Sequence, residues 1–191
     1  MSQDYLDSIR KQFEYYKKLG DQTFTQLPDE ALFVCYTSES NSIAIVVNHL
    51  WGNMMSRWTD FMTTDGEKEW RNRDAEFDAP CSTRVALLEQ WEAGWACLFT
   101  ALDQLTVADL NHIIYIRNQG HTVVEALNRQ LAHYSYHVGQ IVFLGKMGVT
   151  TSWNSLSIPK GNSSAYNEVK FSKPKQIGHF TDEYLEKKSD R

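Results

Sequence analysis

Four long stretches of this chain repeat apolar residues every three or four positions, the period of a helix with one buried face. The first runs Leu6, Ile9, Phe13, Tyr16, Thr23 and Leu27, and stops at Pro28, where a helix should end. The second opens after a polar cluster, Ser38 to Ser42, any of whose side chains can cap it. It carries Ile43, Val46, Val47, Leu50, Met54, Trp58 and Phe61 before Asp65-Gly66. The third, introduced by Pro80 and Ser82, turns Val85, Leu88, Trp91, Trp95, Leu98, Leu102 and Leu105 inward. The fourth opens on Thr122-x-x-Glu125, a capping-box pattern, and ends near Gly148. Helices over residues 3–27, 41–63, 82–105 and 122–147, each with one apolar stripe, predict an all-α four-helix bundle.

The connections are long. Between helices two and three lies a charged stretch, Asp65 to Asp78, in which Trp70 and Phe77 are the expected anchors to the bundle. Its carboxylates, Asp65, Glu67, Glu69, Asp74, Glu76 and Asp78, do not have calcium-loop spacing. Interleaved with Lys68, Arg71 and Arg73, they read as a solvated, salt-bridged surface. Before helix four, Asn111 to Ile116 is rich in β-branched residues and Asn118-Gln119-Gly120 signals a turn, so a short strand or hairpin is expected. Residues 1–170 are read as the bundle domain and 171–191 as a polar tail. From residue 149 on the chain should be mostly irregular and fray at its end, with Trp153, Tyr166 and Phe171 available to pin it.

Composition narrows the partners. With 191 residues, 42% of them hydrophobic, the chain suits one globular domain with a sizeable core. A formal charge of −5 and no basic run argue against nucleic acid as a partner, and no apolar run is long enough to cross a membrane. The start, Met1-Ser2-Gln3-Asp4, is not a signal peptide, and Cys35, Cys81 and Cys97 read as reduced thiols, which places the chain in the cytoplasm. Trp51, Trp58, Trp91 and Trp95 are most simply core.

The chemistry-bearing pattern is His133-x-x-x-His137, two imidazoles one turn apart on helix four and so on one face. Both lie on the flank of that helix's apolar stripe, formed by Leu127, Leu131, Tyr134, Val138 and Ile141. His49 and Asn53 fall on the corresponding flank of helix two. If the flanks meet, three imidazoles converge at the rim of the bundle. The alternative is that each histidine is a boundary residue bonded to a carbonyl. Asn53 and Gln140 stand one turn from a histidine and are candidates to orient a ligand or bound water, or simply bond locally. His112, His121 and His179 are read as solvated. No nucleophile-elbow, phosphate-loop or C-x-x-C pattern is present.

Asn48-His49-Leu50 and His133-x-x-x-His137-x-Gly139-Gln140 together resemble the DinB/YfiT-like family of four-helix-bundle metalloproteins. The likeness is greatest to its YjoA-like branch of unknown function, through His49-Leu50-Trp51-Gly52-Asn53, Thr63-Thr64-Asp65-Gly66-Glu67-Lys68 and Ile158-Pro159-Lys160-Gly161. The resemblance covers roughly residues 1–170. It implies one divalent ion on His49, His133 and His137: zinc or nickel first, with iron, manganese or cobalt also compatible with three nitrogens. It further implies an open ligand position that activates a small thiol or water, as in an S-transferase, isomerase or hydrolase. In that reading the substrate is a small molecule, its electrophile is held near Ser157 to Asn162, and a homodimer is one state open to the chain. A metal-stabilised bundle that acts by association, in stress or damage responses, is the other reading.

Overall fold

The computed structural model describes residues 3–78, 80–149 and 152–185. Its frame is four long helices: α1 (Gln3–Phe24), α2 (Ile43–Trp58), α4 (Arg84–Asp103) and α5 (Val123–Gly148). A short helix, α3 (Ala75–Asp78), falls between α2 and α4, and a hairpin, β1 (Ile113–Ile116) and β2 (Gln119–Thr122), precedes α5. Two more short helices follow, α6 (Ser163–Phe171) and α7 (Asp182–Leu185). The widest contacts are α2 on α4 and α1 on α5, and α2 also packs on α5, so the histidine-bearing helices are neighbours. The expected all-α four-helix bundle is the architecture. Among the described residues, no helix is long and apolar enough to cross a membrane.

Helix ends follow local chemistry more tightly than the apolar stripes do. The Ser42 hydroxyl accepts from the Ile45 N–H and starts α2, Thr83 does the same for α4 through Ala86, and Thr122 with Glu125 forms the expected capping box. Helix α1 stops at Phe24 rather than residue 27. The next turns tighten to i→i+3 bonds (Gln26 N–H to Thr23 O, Leu27 N–H to Phe24 O) because residues before Pro28 are pushed out of the α region. Helix α2 stops at Trp58 rather than residue 63. Asp60 takes a left-handed φ of 47°, and Phe61 reaches the core from a turn.

The core is aromatic and continuous: Phe13, Trp58, Trp91, Trp95 and Tyr134 are all buried, with Trp95 edge-on to Tyr134 at 5.9 Å between ring centres. Trp51 is only half-buried, and Val85 is 67% exposed, because Leu87 rather than Val85 falls in line with Trp91, Trp95 and Leu98. The hairpin turns at Arg117-Asn118, both at positive φ, one residue before the expected Asn118-Gln119-Gly120. Asp65 fixes that turn by accepting from the Arg117 and Asn118 N–H groups at 2.8 Å each.

The charged connection is solvated only in part: Glu69, Arg73, Asp74 and Asp78 are exposed as expected. Arg71 and Glu76 are buried, whereas Trp70, expected as an anchor, is 61% exposed. Phe77 does anchor, against His49. The tail is largely irregular, yet it returns to α1. Thr181 is fully buried, His179 Nε2 lies 3.0 Å from the Ser8 hydroxyl, and Tyr184 packs on Tyr15. His179 is therefore partly buried rather than solvated, as is His121. Phe171 stays exposed and pins nothing. The expected fraying of the last residues falls mostly on 186–191, outside the described residues.

Candidate metal centre

Helix α2 presents His49 and helix α5 presents His133 and His137 to the same point. His133 Nε2 lies 3.3 Å from His49 Nε2 and 3.1 Å from His137 Nε2. All three nitrogens fall within 4.8 Å of one another. A tetrahedral ion with metal–nitrogen bonds of about 2.0–2.1 Å separates its ligands by about 3.3 Å, so two of these spacings already match a bound divalent cation.

The distal nitrogens decide which lone pairs are free. His49 Nδ1 is 2.8 Å from Glu76 Oε2 in a buried pair. Burial alone would raise the Glu76 pKa, but the hydrogen bonds from His49 and Arg71 and the Arg71 charge bring it below the ordinary value. An ionised carboxylate only accepts, so His49 donates from Nδ1, and Nε2 is the ring nitrogen turned toward the centre. His137 Nδ1 donates in the same way to Gln140 Oε1 at 2.9 Å. His133 Nδ1 is buried with no partner among the described residues. Burial, then the His137 and His49 rings and the nearby Arg57 and Arg71, lower the His133 pKa to about 3. Burial also lowers His137. At neutral pH both imidazoles of α5 are therefore neutral, the protonation state of a ligand.

Glu76 is itself held. Arg71 grips both its oxygens at 2.7 and 3.0 Å and reaches Glu67 at 3.1 Å, while the Asn48 amide donates to the Glu76 carbonyl at 2.8 Å. Gly52 makes this possible, since a Cβ there would stand 2.4 Å from Glu76 Oε1. Gly52 lies one turn past His49 in the His49-Leu50-Trp51-Gly52-Asn53 stretch, and its role there is to leave room for the carboxylate. Sequence reasoning missed Glu76 and Arg71 by assigning the whole stretch to solvent. The usable signal was Phe77, an apolar residue one place on, whose ring sits 4.9 Å from that of His49.

The two supporting residues expected from the sequence divide. Gln140 bonds to His137. Asn53 meets no imidazole: its Oδ1 accepts from Gln130 Nε2 at 2.8 Å and from the Tyr134 hydroxyl at 3.1 Å. Trp58 Nε1 completes this buried network on Tyr134, whose pKa burial pushes up to about 12, so the phenol keeps its proton. His112 is exposed and takes no part in the cluster. The three histidines open into a cleft of about 410 Å³ that Asn53 also lines. Residues 157–162, expected to hold an electrophile, do not line it.

Fold and site together define a helical bundle with a three-imidazole candidate metal centre at the mouth of a cleft. The chain belongs to the DUF1572 family, described as a protein of unknown function, which matches residues 1–162. No curated protein and no solved structure matches it.

Proposed function

We propose that this chain is a metal-dependent enzyme of the DinB/YfiT-like kind that acts on a small molecule. The observation that carries the reading is the convergence of three Nε2 atoms on an open cleft, two of them aimed by proton-fixing partners. His49, His133 and His137 would hold one divalent ion, zinc or nickel first. Three protein ligands leave a position for an exogenous molecule, the donor arrangement of catalytic rather than structural sites. When bound, the ion supplies Lewis acidity that lowers the pKa of water or a thiol.

The chain's own residues supply position and proton control. Glu76 and Gln140 keep the Nδ1 protons in place, and Phe77 covers one face of His49. Among the described residues, no cysteine lines the histidine cleft. Cys97 lies in a different pocket beside Trp58 and Thr59, and burial raises the thiol pKa of both Cys97 and Cys81. In the transferase or isomerase form of the reading the reacting thiol therefore comes from solution. Three unpaired cysteines favour a reducing compartment, the cytoplasm.

Elemental analysis of protein purified without affinity tag or chelator tests the centre. One equivalent of metal is expected in the native chain and in His112→Ala, and its loss in His133→Ala and His137→Ala. Retained metal in the last two overturns the triad. Thermal shift with low-molecular-weight thiols then tests the chemistry: stabilisation that requires the ion supports the enzyme. Thiol-independent melting would favour the ion as a clasp between α2 and α5, the two helices that contribute the ligands.

A further inference from the structure

The chain carries a formal charge of −5, yet the cleft beside the histidines is lined by five arginines, Arg57, Arg71, Arg73, Arg117 and Arg129, and by no carboxylate. Three acids behind the wall answer them in part. Glu76 is taken by Arg71 and His49. Glu67 is shared by Arg71 at 3.1 Å, Arg117 at 3.4 Å and Arg57 at 4.0 Å. Asp65, which also acts on Arg57 through space, gives its oxygens to the backbone N–H groups of Glu67, Arg117 and Asn118. Arg73 lies over the Phe77 ring, and neither it nor Arg129 forms an ion pair with a described residue.

Arg57 is the sharpest imbalance. Its side chain is 4% exposed, its Nε and Nη1 have no partner among the described residues, and its one ion-pair partner, Glu67, stands 4.0 Å away. Burial, with Arg129 and Arg71 nearby, depresses its pKa, the sign of a cation short of counter-charge. A buried guanidinium without a full complement of acceptors is costly, and clefts lined by one sign of charge concentrate ligands of the other.

We propose that this arginine wall is an anion subsite, which takes the oxyanion of a small substrate, a carboxylate or a phosphate, and sets it beside the three-histidine centre. The planar, multiply donating guanidinium suits either group. Arg129 and Arg117, exposed at the rim, make first contact, and Arg57 supplies charge from the floor. The inference deepens the enzymatic reading by naming the substrate class, but the subsite itself does not need the ion.

Isothermal titration with inorganic phosphate and with malonate, at neutral pH and constant ionic strength, tests it on metal-free and zinc-loaded protein. One of the two anions is expected to bind, and its identity assigns phosphate or carboxylate. Arg129→Ala should weaken that binding about tenfold or more with zinc content unchanged. Arg57→Gln should do the same if circular dichroism shows it folded, and Arg129→Ala decides if it is not. No binding of either anion at millimolar concentration, or binding unchanged in Arg129→Ala, overturns the subsite. Anion binding in samples that never take up metal would sink the metal reading and leave the subsite standing. Metal uptake without anion binding would do the reverse.

Discussion

Residues 65–78 and 163–185 both form ion pairs, and the fold treats them in opposite ways. In the first, Arg71 is 2% exposed and Glu76 8%, stacked behind His49 in a chain of contacts that ends at the candidate metal. In the second, the pairs Lys11–Asp182 and Lys170–Glu183 keep between 32% and 44% of each side chain in water. Charge is denser in the first, nine of its fourteen residues against six of twenty-three, yet charged side chains alone favour exposure. What separates them is whether the partners are numerous enough to offset desolvation: Glu76 has Arg71 and His49 on its carboxylate and Asn48 on its carbonyl, whereas Asp182 has one lysine and one backbone N–H.

The largest test of that contrast is Arg71→Ala. It leaves Glu76 and Glu67 in a low-dielectric site without their main cation, and the expected loss is about 3–5 kcal/mol in a urea titration. A loss near that of a surface pair would mean the segment is more hydrated than its burial implies. Next in size is Gly52→Ala, a change of one methyl group. The new Cβ displaces the Glu76 carboxylate, so His49 loses the partner that fixes its tautomer, and zinc affinity should fall about 10–100-fold. Competition with a chelating dye measures it. Unchanged affinity would show that Glu76 supports the fold rather than the centre.

The same contrast explains what the sequence could reveal. The four stripes were legible because helix periodicity is local, and His133 and His137 were legible because one turn of one helix brings them together. His49 could be set on the correct flank of α2, but the meeting of the two flanks depends on how α2 packs on α5. Glu76 and Arg71 were not legible: their burial depends on Gly52, on Phe77 and on the path of an irregular segment, none of which has a period. Asn53 shows the opposite error. It occupies the expected flank, but Gln130 and Tyr134, brought from α5, take its oxygen.

The third test is pH. The folded His133 pKa, about 3, lies below the ordinary 6.5, so between those values the unfolded chain binds a proton that the folded chain does not. Stability of the metal-free protein should therefore fall as pH drops through that window, with His133 contributing up to about 1.4 kcal/mol per pH unit. His133→Gln should flatten the slope by that share in urea titrations at several pH values. A slope identical to that of the native chain would show that His133 is protonated in the folded state and that its burial is relieved by water.

The smallest effect belongs to the tail. Lys11 joins α1 to Asp182, and that hydrogen bond raises the Lys11 pKa while it lowers that of Asp182. Both groups remain open to solvent, so Lys11→Ala should move the melting temperature by no more than about 2–4 °C, and by less at high salt. Differential scanning calorimetry at two ionic strengths decides it. A larger, salt-insensitive drop would mean that the contacts of Thr181, His179 and Tyr184 depend on this ion pair. The tail would then be coupled to the bundle as firmly as the segment that carries Glu76, and the contrast between the two charged regions would fail.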